Sequence, residues 1–356
     1  MNVTFKDVAE LANVSTQTVS RVTNGSLNVA PETREKVNAA IKKLGYIPNK
    51  GAQILGRAKS KMIGLVTMDI LLHGASLLAN GVRKQAKKWD YGTSLSVIAD
   101  PAFDKITVAV DDLKAQRVEF IIMNIPLSSD DAEMLVAHYA SIHFVFIDVP
   151  PDSRVNTVSG ASYNGAKIAA ELMLSLCRKR LLAITGPHGS SASGLRLQGW
   201  LDVLKEDPES KIINQFEGDW RASSGYRCTR QALSDGHDFD GVLVANDQMA
   251  LGVLRALSEF NLTVPQQVSV IGFDDTVDSA YFTPPLTTIK QDFLTIGERA
   301  VLLAFSVADK ASKSYQHESI VTELIERKST QAYRPPQANE QKIKGLLKQI
   351  EKLLIE

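Results

Sequence analysis

The chain has 356 residues, of which 44% are hydrophobic and 22% are charged, and its 40 basic and 40 acidic side chains balance. This composition excludes a disordered or fibrous protein, and the length allows two or three domains with buried cores. We expect no membrane span, because no apolar run reaches roughly 18 residues, and no signal peptide. Only Cys177 and Cys228 are present, without metal-ligand spacing, which favours a reducing cytoplasm, no metal and no cofactor.

Charge is distributed unevenly along the chain. Residues 1–60 hold nine basic and four acidic side chains, a net charge of +5, so the remainder carries −5. A basic first segment on an acidic body favours a polyanionic partner for that segment. A solvated basic face is the alternative.

The first 45 residues show the pattern of three short helices. Thr4 with Asp7 and then Ser15 can cap the first two, while Pro31 and Gly45 suit the start and end of the third. The apolar positions at helical spacing are Val8, Leu11 and Ala12, then Val19 and Val22, then Val37, Ala40, Ile41 and Leu44. Two helices joined by a short turn and braced by a third predict a helix-turn-helix unit.

The second helix turns polar side chains outward, in the stretch "TQTVSR". The side chains are Thr16, Gln17, Ser20 and Arg21. In the major groove of DNA, Gln can pair bidentately with adenine and Arg with guanine. The sequence therefore predicts a base-reading surface; the solvated face of a small three-helix unit is the alternative.

From Met62 onward, seven apolar runs of strand length alternate with helical segments such as 164–176 and 248–260. The runs are "MIGLVTM", "TSLSVIA", "EFIIMNI", "HFVFIDV", "RLLAITG", "FDGVLVAND" and "VSVIGFDD". Their Val, Ile and Phe content predicts strands buried on both faces. The alternation predicts a doubly wound α/β body, long enough for two lobes.

Polar side chains follow three of these runs at the point where each strand ends. Asp148, Asn246 and Asp274 occupy these positions. Ligands of such sheets bind beyond the carboxyl ends of the strands. Arg196 can supply a bidentate donor and Trp220 a flat apolar wall, as a sugar requires. Each residue alone is equally consistent with a cap or a turn, but their occurrence together favours a ligand site.

The end of the chain predicts a linker and a helix. Residues 331–339, "QAYRPPQAN", are polar and proline-bearing. Residues 340–356 place an apolar stripe at Ile343, Leu346, Leu347, Ile350, Leu353 and Leu354. Since a solitary helix this short is marginal in water, we expect it to associate with other copies; docking on its own core is the alternative.

Two long stretches, "TFKDVAELANVSTQTVSRVTN" and "TREKVNAAIKKLGYIPN", resemble the DNA-binding head of the lac repressor family of bacterial transcription regulators. The similarity continues through "LVANDQMALG", "GFDDT" and "PPLTTIKQDF", so it covers nearly all of the chain. It implies an α/β protein with an all-α head, a hinge helix, a periplasmic-binding-protein-like core with parallel sheets, and an oligomerisation helix.

The resemblance also implies domain boundaries. The head would span 1–46, the hinge helix 47–60, the core 61–330, the linker 331–339 and the oligomerisation helix 340–356. Within the core, the N-lobe would comprise about 61–160 and 290–320, and the C-lobe about 161–289 and 321–330.

Several residues match positions that contact DNA in the family. These are Thr16, Gln17, Ser20, Arg21 and Asn24 in the head, and Leu55, a minor-groove wedge on the hinge helix. Thr16 stands where the family pattern has Tyr, so the operator preference is expected to differ.

The family's sugar contacts map onto the core. They are Asp148, Arg196, Asn246, Asp274 and Gln291 as polar contacts, Trp220 and Phe293 as aromatic walls, and Leu78 and Ile296 as apolar lining. Met68 and Ala192 stand in place of serines, and Gly160 in place of a Phe. The resemblance implies a galactoside or another small sugar as inducer.

His73 and Asp278 match a pair that bridges lobes across the subunit interface in the family; an exposed His and a turn Asp are the alternative. The resemblance further implies a homodimer through the core and a homotetramer through the last helix. The function expected is a non-enzymatic repressor, released from operator DNA by the sugar.

Two other classes of protein fit less of the sequence. A sugar-binding transport protein would share the two-lobed core, but the helix-turn-helix head would be unexplained. For an enzyme, "GPHGSSASG" is followed by no Gly-Lys-Ser/Thr, and no nucleophile elbow or G-x-G-x-x-G motif is found.

Overall fold

The computed structural model describes residues 3–26, 28–47, 60–309, 314–333 and 345–347. The chain forms two compact units, Met1–Lys61 and Met62–Glu356. The predicted hinge residue Leu55 and, in the predicted tail helix, Ile343, Ile350, Leu353 and Leu354 lie outside the described residues. Of the helices in the described ranges, none has the length and apolar character needed to cross a membrane.

In the described residues of the first unit there are three helices, α1 (Phe5–Ala12), α2 (Thr16–Thr23) and α3 (Pro31–Leu44). The Asp7 carboxylate accepts the Thr4 N–H at 2.7 Å, and Ser15 Oγ accepts the Thr18 N–H at 3.1 Å. These bonds satisfy free amides at two helix starts. The small core contains Val8, Ala9, Ala12, Val19, Val22, Val37 and Ala40. The predicted helical spacing therefore buries most of the expected apolar positions, whereas Ile41 and Leu44 are half-buried against the core and Leu11 is exposed.

The described part of the second unit contains two six-stranded sheets. The first has the order β11-β5-β4-β3-β1-β2, and the second β12-β10-β9-β8-β6-β7. The strands of the first sheet are β1 (Met62–Thr67), β2 (Gly92–Val97), β3 (Phe120–Pro126), β4 (His143–Asp148), β5 (Thr157–Gly160) and β11 (His317–Ile320). Those of the second are β6 (Arg180–Thr185), β7 (Lys211–Glu217), β8 (Gly241–Val244), β9 (Ser269–Asp274), β10 (Thr287–Lys290) and β12 (Glu323–Ile325). We call the first sheet with its helices the N-lobe and the second the C-lobe.

Helices cover both sheets. In the N-lobe these are α4 (His73–Lys88), α5 (Phe103–Ala115), α6 (Ser129–His138) and α11 (Phe293–Asp309). In the C-lobe they are α7 (Ser162–Ser175), α8 (Ser191–Leu204), α9 (Ala222–Ser234) and α10 (Asp247–Glu259), with a 3₁₀ helix at Val277–Tyr281. All strand pairs within both sheets are parallel except β10 with β12. The chain changes lobe after β5, after β10 and after β11, so β11 and α11 return to the N-lobe late in the sequence.

Helices α4 and α11 of the N-lobe pack closely against each other. A Cβ atom at Gly81 would collide with the Leu294 carbonyl, and one at Gly297 with the Leu78 carbonyl. Because only glycine permits this approach, the backbones of the two helices touch. Leu78 and Ile296 are thereby buried in the N-lobe core, 1% and 2% exposed.

One strand differs from the sequence-based prediction. The run "TSLSVIA" was expected to be buried on both faces, but β2 lies at a sheet edge with Leu95 and Val97 exposed. It pairs only with β1, so one side of it has no covering strand. The expectation of full burial is therefore wrong for β2, because apolar content alone does not distinguish an edge from the centre of a sheet.

Candidate functional site

Three polar contacts join the two lobes at the carboxyl ends of their strands. Asp148, the last residue of β4, accepts the N–H of Ala192 at the start of α8. The other two contacts connect the segment after β1 and the start of α4 with the C-lobe. The distances are 2.9 Å from Asp148 Oδ1 to Ala192 N, 2.8 Å from Asp69 Oδ2 to Arg221 Nη2, and 3.2 Å from Gln248 Oε1 to His73 N. The strand ends predicted to carry the site therefore meet in one cleft.

A buried cluster of Arg196, Asp274 and Gln291 lies in this cleft, with the three residues 4%, 8% and 7% exposed. The Gln291 side-chain amide donates to Asp274 Oδ1 at 2.8 Å, and Arg196 Nη2 lies 3.6 Å from the same oxygen. The guanidinium also donates to the Ala245 carbonyl and stacks on the Phe273 ring at 3.9 Å. Arg196 of α8 and Gln291 of the segment after β10 thus converge on the carboxylate at the end of β9.

Burial dominates the electrostatics of this cluster. It raises the pKa of Asp274, against the opposing effects of Arg196 and Gln291, and it lowers the pKa of Arg196. Burial also raises the pKa of Asp148, opposed first by the Ala192 N–H. The Arg196 Nε–H is buried and has no hydrogen-bond partner within the described residues. A polar ligand would therefore find strong donors and acceptors that are poorly solvated.

Asn246 acts as a helix cap in this structure. Its Oδ1 accepts the Met249 N–H at 2.9 Å, and its Nδ2 donates to the Trp220 carbonyl at 2.9 Å. Trp220 has φ of 70°, and its ring lies so close over Gly186 that a Cβ there would collide with it. The sequence was consistent with either a helix cap or a ligand contact at Asn246, and the structure shows the cap. The same side chain also fixes the backbone of Trp220, the predicted aromatic wall.

The predicted apolar lining is mostly core. Leu78 and Ile296 are buried in the N-lobe cluster, against which half-buried Phe293 packs. A Cβ at Gly74 would lie 2.7 Å from the Phe293 ring. At Gly160, a Cβ would collide with Gln291 Oε1, so Gln291 occupies the space that a side chain at 160 would take.

The sequence analysis missed Asp247, a carboxyl group directly behind the cluster. Its side chain is fully buried, accepting the Thr288 hydroxyl at 2.5 Å and the Thr276 N–H at 2.8 Å. Burial, with the nearby Asp274, raises the pKa of Asp247 to about 8. Its position after Asn246 was visible, but its burial depends on distant residues.

The predicted DNA-reading helix presents three exposed side chains, Thr16, Gln17 and Arg21. Ser20 and Asn24 are half-buried, and Asn24 Nδ2 donates to Ser20 Oγ at 3.3 Å. Since Val19 and Val22 face the core, the polar face points outward as the spacing predicts.

The remaining predicted residues lie apart from the cleft cluster or near its edge. Half-buried His73 begins α4 and uses its backbone N–H toward Gln248, while Asp278 is exposed on the 3₁₀ helix. Leu346 and Leu347 are exposed within the helical segment 345–347. Within the described ranges, no cluster of three His, Cys, Asp or Glu side chains is placed to hold a metal ion.

Known proteins match both units of the chain. Residues 4–49 match the family model of bacterial regulatory proteins, lacI family, and residues 170–330 match the periplasmic binding protein-like domain. The lactose operon repressor of Escherichia coli (strain K12) is 39% identical over 332 residues, which is 93% of this chain and 91% of that repressor. The lactose operon repressor of Klebsiella pneumoniae is 34% identical over 98% of each chain.

A solved structure gives the same result. The crystal structure of the lac repressor dimer bound to operator and the anti-inducer ONPF superposes with a TM-score of 0.87 at 37% identity, covering 93% of this chain and 100% of that one. The chain therefore belongs to the lacI family of bacterial regulatory proteins, a family of DNA-binding transcriptional repressors.

Proposed function

We propose that this repressor controls a sugar-utilisation operon and releases its operator when a small sugar, a galactoside, binds between the lobes. The buried cluster of Arg196, Asp274 and Gln291 carries the proposal. A ring of sugar hydroxyls needs paired donors and acceptors, which the guanidinium, the carboxylate and the amide supply. Asp148 and Asn246 add further polar groups, and Trp220 offers a flat face for sugar C–H groups. The similarity to two lactose operon repressors supports a galactoside.

On the DNA side, we propose that Gln17 and Arg21 read base edges. Both are exposed on α2, and the first 60 residues carry a net charge of +5. Thr16, Ser20 and Asn24 are proposed to contribute further contacts, and Leu55 to wedge into the minor groove. Two copies joined through the core would place two reading helices on successive major grooves of a palindromic operator.

Release follows from linkage between the two sites. A sugar lowers operator affinity only if it prefers a lobe arrangement that the operator-bound dimer does not favour. Contacts that span the lobes, such as that of Asp148 with Ala192, are the groups through which a ligand would bias that arrangement. His73 and Asp278 are proposed to add a contact across the dimer interface that favours one lobe arrangement.

We propose the domain limits given by the sequence, and assembly of dimers into tetramers through residues 340–356. Leu346 and Leu347, exposed in the described segment, belong to the apolar stripe of that helix. The repressor would act without catalysis in the cytoplasm, where its operator DNA is located.

The sugar is tested by measuring release from a fluorescent lac-type palindrome against a panel of galactosides and glucosides. Wild type should release the palindrome with at least one galactoside. Arg196→Lys, which loses the planar donor fork, should need at least about tenfold more sugar while binding the palindrome equally well without sugar. The matched control is Arg255→Lys, at an exposed arginine on α10. Release by glucosides alone would shift the proposal to another sugar, and no release by any sugar would refute induction.

The DNA contacts are tested on the same palindrome and on random duplex. Arg21→Ala and Gln17→Ala should reduce the preference for the palindrome, since each bidentate base contact is worth about 1–3 kcal/mol. Lys42→Ala, which removes one exposed positive charge from α3, is the charge-matched control. It should weaken binding to the palindrome and to random duplex by the same factor. Equal loss on both duplexes for Arg21→Ala would contradict base reading.

A further inference from the structure

A cavity of about 450 Å³ lies in the N-lobe, at the amino ends of its strands. Its walls come from the starts of β4, β5 and β11 and from the last turns of α6 and α11. The opposite end of β4, at Asp148, lies in the cleft, roughly 16 Å from His143 at about 3.3 Å per residue. The cavity is therefore separate from the proposed sugar site, and its volume falls within the roughly 300–1,000 Å³ of small-molecule pockets.

A short unpaired edge of β4 faces this cavity. β4 pairs with β3 from His143 onward, but β5 pairs with β4 only at Phe146. The His143 N–H donates to the Glu119 carbonyl on the β3 side, and the Phe146 N–H donates to the Asn156 carbonyl on the β5 side. Because successive residues of a strand turn their backbone groups to opposite sides, Phe144 turns its N–H and carbonyl toward β5. It makes no backbone hydrogen bond there with residues 150–156, so one donor and one acceptor border the cavity.

Side chains complete the walls around this edge. Asn156 Oδ1 accepts the Gln316 N–H at 3.0 Å, which fixes the amide group and leaves its Nδ2 as a donor at the cavity. Tyr315, 47% exposed, offers an aromatic face, and Val155 and Val307 offer apolar ones.

The charge of the walls restricts the ligand further. The ten described residues that line the cavity include no Asp, Glu, Lys or Arg. An ionic group would therefore lose hydration without gaining a countercharge from the walls. The cavity favours an uncharged ligand that has a flat apolar face and a polar edge.

We infer that this cavity is a second ligand site, which takes an uncharged planar aromatic amide or lactam. Its ring system lies against Tyr315 and the valines. A lactam carries an N–H and a carbonyl on one edge, so it can donate to the Phe144 carbonyl and accept from the Phe144 N–H or from Asn156 Nδ2. The ligand thereby supplies the hydrogen bonds that β5 does not give to the start of β4.

The position of the cavity predicts how this site relates to the cleft. All the described lining residues belong to the N-lobe, so a rigid movement of one lobe against the other leaves the walls unchanged. A ligand that does not distinguish two lobe arrangements shifts neither. Binding here should therefore be independent of a sugar in the cleft, and the inference does not rest on the proposed function.

The test is a saturation-transfer NMR titration of the full-length protein with three probes: quinolin-2-one, quinoline, which lacks the amide edge, and 2-naphthoate, an anion of similar size. Wild type should bind quinolin-2-one at least about tenfold tighter than either of the others, because only quinolin-2-one is an uncharged lactam. The affinity for quinolin-2-one should be the same with and without methyl β-galactopyranoside.

Two variants locate the site. Val307→Phe enlarges a half-buried side chain at the cavity and should weaken quinolin-2-one binding by at least about tenfold. Val108→Phe, at an exposed position of α5 away from the cavity, is the matched control and should bind as wild type does. Asn156→Asp keeps an acceptor for the Gln316 N–H but removes the Nδ2 donor, and it should weaken quinolin-2-one binding by about fivefold. Binding of each variant to the palindromic duplex checks that it is folded.

Three results would overturn the second site. The first is equal affinity of wild type for quinolin-2-one and 2-naphthoate, or no binding of quinolin-2-one. The second is unchanged quinolin-2-one affinity in both Val307→Phe and Asn156→Asp. The third is competition between quinolin-2-one and the galactoside, which would locate the probe in the cleft. Failure of the galactoside to bind would refute the proposed inducer alone, because the titrations of the three probes and the variants require no sugar.

Discussion

The two lobes of the core have the same strand order in their sheets, but they differ in how many charged side chains they bury. Among the described residues of the core, the buried charged side chains lie in the C-lobe: Arg178, Arg196, Asp240, Asp247 and Asp274. In the N-lobe, burial also raises the pKa of the half-buried Asp148 carboxylate. The buried polar side chains of the N-lobe are uncharged, such as Thr67 and Gln85, and its core clusters are apolar. The same topology thus supports an apolar lobe and a lobe built around desolvated charges.

This difference shows where the ligand chemistry of the cleft resides. The C-lobe supplies Arg196 and Asp274, which are fixed by neighbouring backbone and side chains. The N-lobe supplies Asp148 at the end of an apolar strand, and the glycines against which Phe293 and Gln291 pack. We therefore expect C-lobe substitutions to change stability and ligand affinity strongly, and N-lobe substitutions to change mainly how closely the cleft fits the ligand.

The largest effect on stability is expected from substitution of Arg178. Its guanidinium donates to five backbone carbonyls at 2.7–3.3 Å, those of Asp240, Pro265, Gln266, Gln267 and Gln331. Arg178→Met would remove the guanidinium donor of the Pro265, Gln266 and Gln267 carbonyls, whereas those of Asp240 and Gln331 also accept from the backbone and side chain of Ser269. Since each buried unsatisfied group costs about 1–3 kcal/mol, we expect a loss of at least about 3 kcal/mol in urea unfolding. Gln85→Met in the N-lobe is the matched control, with an expected loss below about 1 kcal/mol. Equal losses of unfolding free energy in Arg178→Met and Gln85→Met would contradict the proposed difference between the lobes.

The next effect is a pH dependence at Asp247. Its pKa of about 8 in the folded protein is raised above the ordinary carboxyl value, so the folded state retains a proton that the unfolded state releases. Stability should therefore decrease as pH rises from about 4 to about 8, by at most about 1.4 kcal/mol per pH unit from this group.

Asp247→Asn removes the titration but keeps an acceptor for the Thr276 N–H. Urea midpoints of wild type and Asp247→Asn should diverge in favour of the variant as pH rises from 5 to 8. Parallel curves would show that Asp247 is charged throughout, and the desolvation argument for the C-lobe would fail at this position.

A smaller effect is expected at Gly160, on the N-lobe side of the cluster. In Gly160→Ala the new methyl group would displace Gln291 Oε1, and the side chain would lose its 2.8 Å bond to Asp274. Losing a hydrogen bond to a charged group lowers stability, so we expect a lower thermal midpoint. Because the displaced Gln291 no longer faces the ligand site, we also expect roughly tenfold weaker sugar binding. Gly194→Ala, where the space is open, is the control for adding a methyl group. Unaltered sugar affinity would mean that Gln291 takes no part in binding.

The smallest effect is expected at the ion pair of Asp69 and Arg221 across the cleft. The pair is 2.8 Å long, but 60% of the Arg221 side chain is exposed, so solvent and salt screen it. Asp69→Asn and Arg221→Gln should each change the sugar concentration that gives half-maximal release of the palindrome by only about twofold at low salt, and by less at high salt. The double variant should behave as either single one; additive shifts would show that the two residues act independently.

Much of the fold followed from local patterns, but four of the shortest strands and the edge strand β7 did not. Seven of the strands correspond to predicted apolar runs, whereas β5, β7, β10, β11 and β12 were not predicted. Four of these five have only three or four residues, and β7 is a half-exposed edge strand. Such strands carry too few buried side chains for a periodic signal, and they form because a neighbouring strand offers backbone hydrogen bonds.

The sequence predicted which residues belong to the site better than it predicted how they are arranged. The resemblance named Arg196, Asp274 and Gln291, but the convergence of Arg196 and Gln291 on one oxygen of Asp274 was not visible. The contact of Asp69 with Arg221 joins residues 152 positions apart, and no local pattern connects them.

The sequence by itself determined the three helices of the head, the buried central strands and the family, because caps, turns and apolar spacing act over a few neighbouring residues. The tertiary structure alone decided which polar groups lose their water. Asp247 titrates near pH 8, Asn246 caps a helix, and Gln291 occupies the space beside Gly160, since desolvation and contact depend on chain segments far apart in sequence.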